Sequence, residues 1–338
     1  MDIKYLGIDL AKNVFQLCGM SRGGAVVLSK RLRRKQLLTF IANVPQCMIG
    51  IEACGGAHYW HRQFESLGHT VKIISPQFVK PFVKGQKNDG NDAEAIAIAM
   101  QQPTMRFVPP RSEEQQDMQS LHRARQRLVN CRSAAACQIH GLLLERGVTI
   151  GVSITTLRRA VPEILEDAEN GLTPSLRATV YELYSFICDL DDRIKYFDRE
   201  IEVVFRHSSA CQRIAAIPGV GPKTATAIVA AAGNGAEFRN GRHFAAWLGL
   251  VPRQYSSGDR QVLLGITKRG DRHLRTLLVH GARAVVRTAP RKTDRHSQWV
   301  NDLHERRGAN KTALAVANKN ARIIWAVLSS GEPYRAAA

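Results

Sequence analysis

The sequence predicts an α/β region with a mixed sheet and flanking helices, followed by two mostly helical regions. Three observations lead there. Short apolar runs in residues 1–105 alternate first with turn signals and then with amphipathic stretches. Apolar residues at Leu183, Ile187, Leu190, Ile194, Phe197, Ile201 and Val204 recur at spacings of 4 and 3, a heptad seam. The last third is Ala-rich and reads as helical, broken by Val251 to Leu264, which reads as a loop. A length of 338 residues suits two or three domains, and the expected divisions are 1–105, 106–205 and 206–338.

The elements follow in order. Ile3 to Ile8 is a short strand running into Gly7-Ile8-Asp9. Val14 to Met20 and Ala25 to Ser29 are two more strands, with Ser21-Arg22-Gly23-Gly24 as the turn between them. Met48 to Ile51 is a buried-type strand leading to Glu52, followed by a helix over His58 to Leu67 and a strand over Val71 to Ile74. Asn91 to Gln101 reads as a helix with Asn91 as N-cap and Asp92 and Glu94 in its first turn. Strands joined as hairpins and then alternating with helices make a mixed sheet. In the middle region, a helix over Glu113 to Arg146 is the expected antiparallel partner of the heptad helix. Three heptads leave open whether that pairing is within one chain or between two, and whether it is a spacer or a dimerisation arm.

Charge narrows the function classes. The chain carries 48 Lys and Arg against 29 Asp and Glu, a net charge of +19. Residues 1–105 hold 13 basic and 7 acidic residues, 106–205 hold 13 and 15, and 206–338 hold 22 and 7. A C-terminal third this basic repels itself unless it meets a polyanion, and nucleic acid is the polyanion it suits. The basic cluster Lys30 to Lys35 is not part of an amphipathic helix with a large apolar face, which argues against a membrane surface. No apolar run approaches the ~20 residues of a membrane span. The opening Met1-Asp2-Ile3-Lys4 is not a secretory leader, and seven cysteines without a CxxC pair suit reduced thiols, so a cytoplasmic protein is expected.

Two groups of residues carry chemistry. Asp9 and Glu52 end strands, while Asp89 and Asp92 lie in Asn88-Asp89-Gly90-Asn91-Asp92 at a helix start. Four acids drawn from two strand ends and one helix start can converge at one sheet edge. Clustered carboxylates call for a cation, and hard oxygen ligands select Mg²⁺ or Mn²⁺. Two such ions suit phosphoryl transfer. Each acid has an ordinary alternative: Asp9 as a turn cap, Glu52 as a surface residue, and Asn88 to Asp92 as turn chemistry. The Gly7-Ile8-Asp9 opening also occurs in actin-like sugar kinases, but the further glycine-rich nucleotide loops those need are missing.

In the last third, Ile217-Pro218-Gly219-Val220-Gly221-Pro222-Lys223-Thr224-Ala225 matches the helix-hairpin-helix pattern. Its two glycines make a tight turn whose backbone N–H groups, with Lys223, suit a phosphate. A plain helix–helix corner is the alternative. Tyr255-Ser256-Ser257-Gly258 is followed by Lys268, Arg269, Arg272 and Arg275. A serine beside glycine near such cations suits attack on a phosphodiester, although a Ser-Ser-Gly stretch is also ordinary turn chemistry.

Taken in order, these motifs resemble the DEDD (RuvC-like) transposases of bacterial insertion sequences, specifically the one-ten family and its eleven-eleven branch. The likeness runs through Gly7 to Lys12, Ile51 to Gly55, Asn88 to Ala93, Ile217 to Thr224, Leu250 to Gly258, Lys268 to Gly270 and Ser330 to Pro333. The resemblance implies an RNase H-like N-terminal domain with Asp9, Glu52, Asp89 and Asp92 as its metal-binding acids. It also implies a coiled-coil connector and a C-terminal transposase domain whose serine matches Ser257, with Ser256 one residue away. In that family the serine joins the acids in a composite site and becomes covalently linked to DNA. Family members form multimers, here a dimer or tetramer, and use a structured (bridge) RNA to pair with donor and target DNA. Gly219, Gly221, Lys223, Thr224, Lys268, Arg269, Arg272 and Arg275 are then expected on nucleic-acid phosphates, in a bacterial cytoplasm and at the nucleoid. A water-using junction-resolving endonuclease and a non-catalytic nucleic-acid-binding protein are the alternatives.

Overall fold

The structure, a computed structural model, describes residues 2–85 and 88–336, so Met1 of the N-terminal reading lies outside it. The chain divides into two compact units, residues 1–111 and 112–338. The first contains β1 (Tyr5–Asp9), β2 (Val14–Met20), β3 (Val26–Arg33), α1 (Arg34–Ala42), β4 (Met48–Glu52), α2 (Ala57–Ser66), β5 (Thr70–Ile74), α3 (Pro76–Val79), α4 (Asp89–Ala99) and β6 (Phe107–Val108). The strands form one mixed sheet in the order β3-β2-β1-β4-β5-β6. β1, β2 and β3 are joined antiparallel, β1, β4 and β5 run parallel, and β6 pairs antiparallel at the far edge.

Side-chain alternation gives the sheet two different faces. Leu6, Ile8, Ile49 and Ile51 pack with Leu37 and Ile41 of α1 and Trp60 and Phe64 of α2. Gly7 and Gly50 face α4 instead. A Cβ on Gly7 would stand 2.2 Å from the Ala93 carbonyl oxygen, and one on Gly50 2.9 Å from Met100 Sδ. Glycine here lets the helix backbone lie directly on the sheet.

Three sequence expectations need correction in detail. The third strand runs from Val26 to Arg33, not Ala25 to Ser29, because β2 keeps pairing down to Val14 opposite Arg33. The basic cluster therefore continues an edge strand, where charge is tolerated, and then opens helix α1. Helix α4 is capped by Asn88, whose side chain accepts from the Asn91 amide at 2.8 Å, rather than by Asn91. This moves Asp89 into the first turn beside Asp92 and leaves Glu94 further along, 3.6 Å from Lys84.

The second unit contains α5 (Glu113–Leu144), α6 (Ile154–Glu166), α7 (Pro174–His207), α8 (Ser209–Ala215), α9 (Pro222–Ala232), α10 (Gly241–Trp247), β7 (Pro252–Ser257), β8 (Arg260–Ile266), α11 (Arg272–Thr288), α12 (Arg295–Arg307) and α13 (Ala309–Ser330). The heptad seam lies on α7, with Ile187, Leu190, Ile194 and Ile201 buried. Its partner is α5 of the same chain. Arg125 Nε meets Asp198 at 2.6 Å and Arg132 Nη1 meets Asp191 at 2.7 Å, a crossed order that makes the two helices antiparallel. The stretch expected as a loop over Val251 to Leu264 is an antiparallel hairpin, β7–β8, closed by Gly258-Asp259. Its sequence hid this because the ribbon buries no apolar face and so shows no clean alternation. No helix among the described residues is long and apolar enough to cross a membrane.

Candidate active site

The parallel register of β1 and β4 pairs Ile8 with Ile51, so Asp9 and Glu52 come next, side by side, at the same end of the sheet. Both follow the alternation of Gly7 and Gly50, which puts them on the face covered by α4. The direction of α4 is fixed by its contacts. Gly7 lies against Ala93 and Ala97, Gly50 against Ile96 and Met100, and Gln101 Nε2 reaches Met20 Sδ at 3.5 Å, where Met20 is the partner of Tyr5. The helix therefore runs antiparallel to β1. Its first turn, with Asp89 and Asp92, lies toward the end where β1 and β4 finish. Asp9, Glu52 and Asp92 are half-buried and Asp89 is exposed.

All four acids thus share one face and one end of the sheet. They are not drawn into a coordination shell: among the described residues, no three His, Cys, Asp or Glu side chains stand close enough to hold a metal ion. Cys54 marks the same neighbourhood. Partial burial, then the carboxylates of Glu52 and Asp9, push its thiol up. That Cys54 lies in the field of both strand-end acids is a contact the sequence did not suggest.

The basic and serine motifs lie in the second unit. Ser257 is the last residue of β7 and pairs with Arg260 across the turn, where Gly258 has φ +54°. A positive φ at the first turn position is what a tight hairpin requires and what glycine supplies. Ser256 Oγ accepts from Gln254 Nε2 at 3.0 Å. Adjacent strand residues face opposite sides, so the two serines present their hydroxyls to different faces of an exposed ribbon.

Downstream, the Lys268–Gly270 turn is locked to residues 247–249. The Lys268 amide donates to the Gly249 carbonyl at 3.2 Å, and a Cβ on Gly270 would sit 1.9 Å from the Trp247 carbonyl oxygen. Arg275 Nη1 donates to the carbonyls of Leu248 at 3.1 Å and Arg269 at 2.9 Å, which ties that turn down from helix α11. Lys268, Arg269 and Arg272 remain exposed. Lys268 holds φ +56°, the one left-handed non-glycine among the described residues.

The Gly219–Gly221 turn joins α8 to α9 and is docked inward. Gly219 has φ +85°, and a Cβ on its packing partner Gly281 would stand 1.8 Å from the Gly219 carbonyl oxygen. Asn320 Nδ2 holds the Pro218 carbonyl at 2.8 Å. Lys223 Nζ pairs with Asp198 at 2.7 Å, Thr224 is buried, and Gly221 is exposed. Burial opposes ionisation of Asp198, but hydrogen bonds from Arg125 and Lys223 outweigh it and hold the carboxyl below its usual value. Asp198 belongs to the heptad helix, so sequence spacing gave no sign that it would meet Lys223.

Comparison with known proteins follows the same division. A family model described as a transposase, of the DEDD type of IS110, matches residues 6–146. The model for the transposase IS116/IS110/IS902 family matches residues 211–297. The chain is 48% identical over 339 residues to a probable family 20 transposase of Pseudomonas aeruginosa, covering 99% of each chain. It is 46% identical to the transposase for insertion sequence element IS1111A of Coxiella burnetii, covering 100% of this chain and 93% of that one. It is 42% identical to the transposase for insertion sequence element IS1328 of Yersinia enterocolitica, covering 98% of both. The mixed sheet is accordingly the RNase H-like domain of a DEDD transposase, a class that implies a divalent metal ion. The chain belongs to the IS110 family of insertion-sequence transposases, in its IS1111 branch, and is an enzyme of DNA recombination.

Proposed function

We propose that this transposase moves its own insertion sequence by Mg²⁺-dependent strand cleavage and exchange through a covalent Ser257–DNA intermediate. The observation that carries the reading is the placement of Asp9, Glu52, Asp89 and Asp92 on one face at one sheet end, in a DEDD-type chain. An all-carboxylate donor set is hard and anionic, so it fits Mg²⁺ or Mn²⁺. The ion, held by these four acids, would supply Lewis-acid polarisation of the scissile phosphodiester.

The other steps use the chain's own groups. Ser257 Oγ attacks phosphorus, its proton leaves to solvent, the Oγ–P bond forms and one P–O ester bond of the DNA breaks. The leaving oxygen is protonated as a strand-end hydroxyl. Lys268, Arg269 and Arg272 stabilise the charge that builds on the phosphate, while Arg275 holds their turn in place. A strand-end hydroxyl then attacks the phosphoserine, rejoining DNA and freeing Ser257. In the same reading Gly219, Gly221, Lys223 and Thr224 lie near backbone phosphates. Residues 1–105, 106–205 and 206–338 act as RuvC-like catalytic domain, connector and C-terminal transposase domain.

The proposal includes a structured bridge RNA that pairs with donor and target DNA, and a dimer or tetramer in the bacterial cytoplasm at the nucleoid. The 22 basic against 7 acidic residues in 206–338 support a nucleic-acid partner of this kind. The test is cleavage of the element's DNA ends, with RNA from its flanking non-coding DNA, across a Mg²⁺ titration. The Asp9→Asn, Glu52→Gln double variant should lose cleavage by at least about a hundredfold while DNA affinity stays within about threefold. Cleavage that survives in the double variant would overturn the metal site.

A further inference from the structure

The C-terminal unit contains a groove that neither the serine nor the acids use. Two cavities, of about 1140 and 1040 Å³, share Trp299, Lys319, Ile323 and Ala326, so they adjoin along α13. One lobe is bounded by Lys292, Arg295 and residues 332–336. The other passes Arg242 and Arg322 and reaches Pro252 and Ile266. Those two residues face each other at the base of the hairpin whose tip carries Ser257.

The charge in this groove is unbalanced. Lys292, Arg295, Lys319, Arg322 and Arg242 form no ion pair among the described residues. Two acids line it against these cations: Asp294 caps α12 through Ser297, and Glu332 meets Arg335, a further lining residue, at 3.9 Å. Burial, then Arg295 and Arg322, push the Lys319 ammonium down from its usual value, as expected where cations crowd without an anion. Lys319 Nζ lies 4.2 Å from the centroid of the half-buried Trp299 ring. The floor between the cations is apolar, made of Leu314, Ala315, Ile323 and Ala326.

We propose that this groove binds an unpaired nucleic-acid strand, with a base stacked on Trp299 and the flanking phosphates on Lys319, Arg322 and Arg295. A duplex turns only phosphates outward and would touch the cationic rim without filling an apolar floor. A splayed strand satisfies both surfaces, because bases cover apolar and aromatic groups while phosphates reach the rim. The incoming base takes the ring face that Lys319 covers, and the displaced ammonium moves to a phosphate. The path ends at the hairpin base, so the bound strand is led toward Ser257. The inference needs only that the protein handles nucleic acid, and it stands whether or not Ser257 is the nucleophile.

The test is fluorescence anisotropy on the full chain with labelled oligo-dT and oligo-rU of about 12 nucleotides and a duplex of the same length. A Lys319→Gln, Arg322→Gln variant should bind both single strands about tenfold or more weakly, and its log–log salt slope should fall by about 1.4. A charge-matched Arg307→Gln, Lys311→Gln control, outside the groove, should bind like wild type. Trp299→Phe should retain affinity but lose the tryptophan quenching that accompanies binding, and Trp299→Leu should weaken binding about tenfold. Whichever of oligo-dT and oligo-rU binds tighter identifies the source of the strand. Unchanged affinity and slope in the Lys319, Arg322 variant would overturn the groove. A duplex bound as tightly as the single strands, with the same dependence on Trp299, would overturn the unpaired strand.

Discussion

The end of the sheet that carries the acids and the hairpin that carries the serine are built in opposite ways. Asp9 and Glu52 extend two adjacent strands whose preceding residues, Ile8 and Ile51, are fully buried, and a helix lies against that face at glycine distance. Ser257 sits on a two-stranded ribbon in which every residue of β7 is exposed and Tyr255 is 75% accessible. The packed sheet edge fixes the backbone positions of Asp9 and Glu52, while the four carboxylates themselves are not drawn together among the described residues. A two-stranded ribbon has almost no burial of its own, so its bound geometry depends on what it meets. One region has its backbone set by packing before substrate arrives; the other is available to be organised by it.

The strongest way to break this contrast is at the glycines. Gly7→Ala places a Cβ 2.2 Å from a helix carbonyl and should cost the N-terminal unit about 3 kcal/mol or more, seen as loss of its thermal transition. Gly258→Ala, where nothing lies within 4 Å of the added Cβ, should cost about 1 kcal/mol in the turn and leave the main transition in place. Equal effects at the two sites would remove the distinction.

Acid separates the regions less sharply, because each unit holds a buried or half-buried histidine whose pKa is lowered. Partial burial, then Arg111, His61 and Arg62, bring His58 down to about 4. Burial, then His273, Arg125 and Lys223, do the same to His122, also to about 4. Both pKa values are lower folded than unfolded, so the unfolded chain binds more protons between these values. Stability should be complete above about pH 6.5 and decline as pH falls toward 4. For His122 the loss is on the order of 3 kcal/mol. His122→Gln should flatten that slope in pH-dependent denaturant melts, and an unchanged slope would contradict the assignment.

The smallest expected effect concerns salt. Lys268→Gln should weaken DNA binding only a few-fold and reduce the log–log salt slope by about 0.9 on duplex, whereas Asp9→Asn should leave the slope as it was. A lower slope in Asp9→Asn would mean that the acids shape the DNA contact directly.

What was legible in the sequence follows the same division. Asp9 and Glu52 could be read because each ends an apolar run, and runs that bury on both sides announce themselves. The start of α4 was displaced by three residues because Asn88 and Asn91 are both good caps, and only backbone geometry chooses between them. Helix α1 went unread because its Arg34-Lys35 opening continues a basic run and its buried residues Leu37 and Ile41 come late. The serine hairpin read as a loop for want of a buried face. The groove along α13 could not be read, because Arg242, Arg295 and Lys319 come from three helices and meet only in the fold.

The most direct test of the central claim is a covalent-adduct assay. The protein is incubated with its element's DNA ends, RNA from the flanking non-coding DNA and Mg²⁺, then denatured and run on a denaturing gel. Wild type and Ser256→Ala should both form a protein–DNA adduct, and Ser257→Ala should form none. An adduct that persists in Ser257→Ala would contradict a Ser257 nucleophile and place the covalent bond on another side chain, and nicked DNA with no adduct in any lane would make water the attacking group.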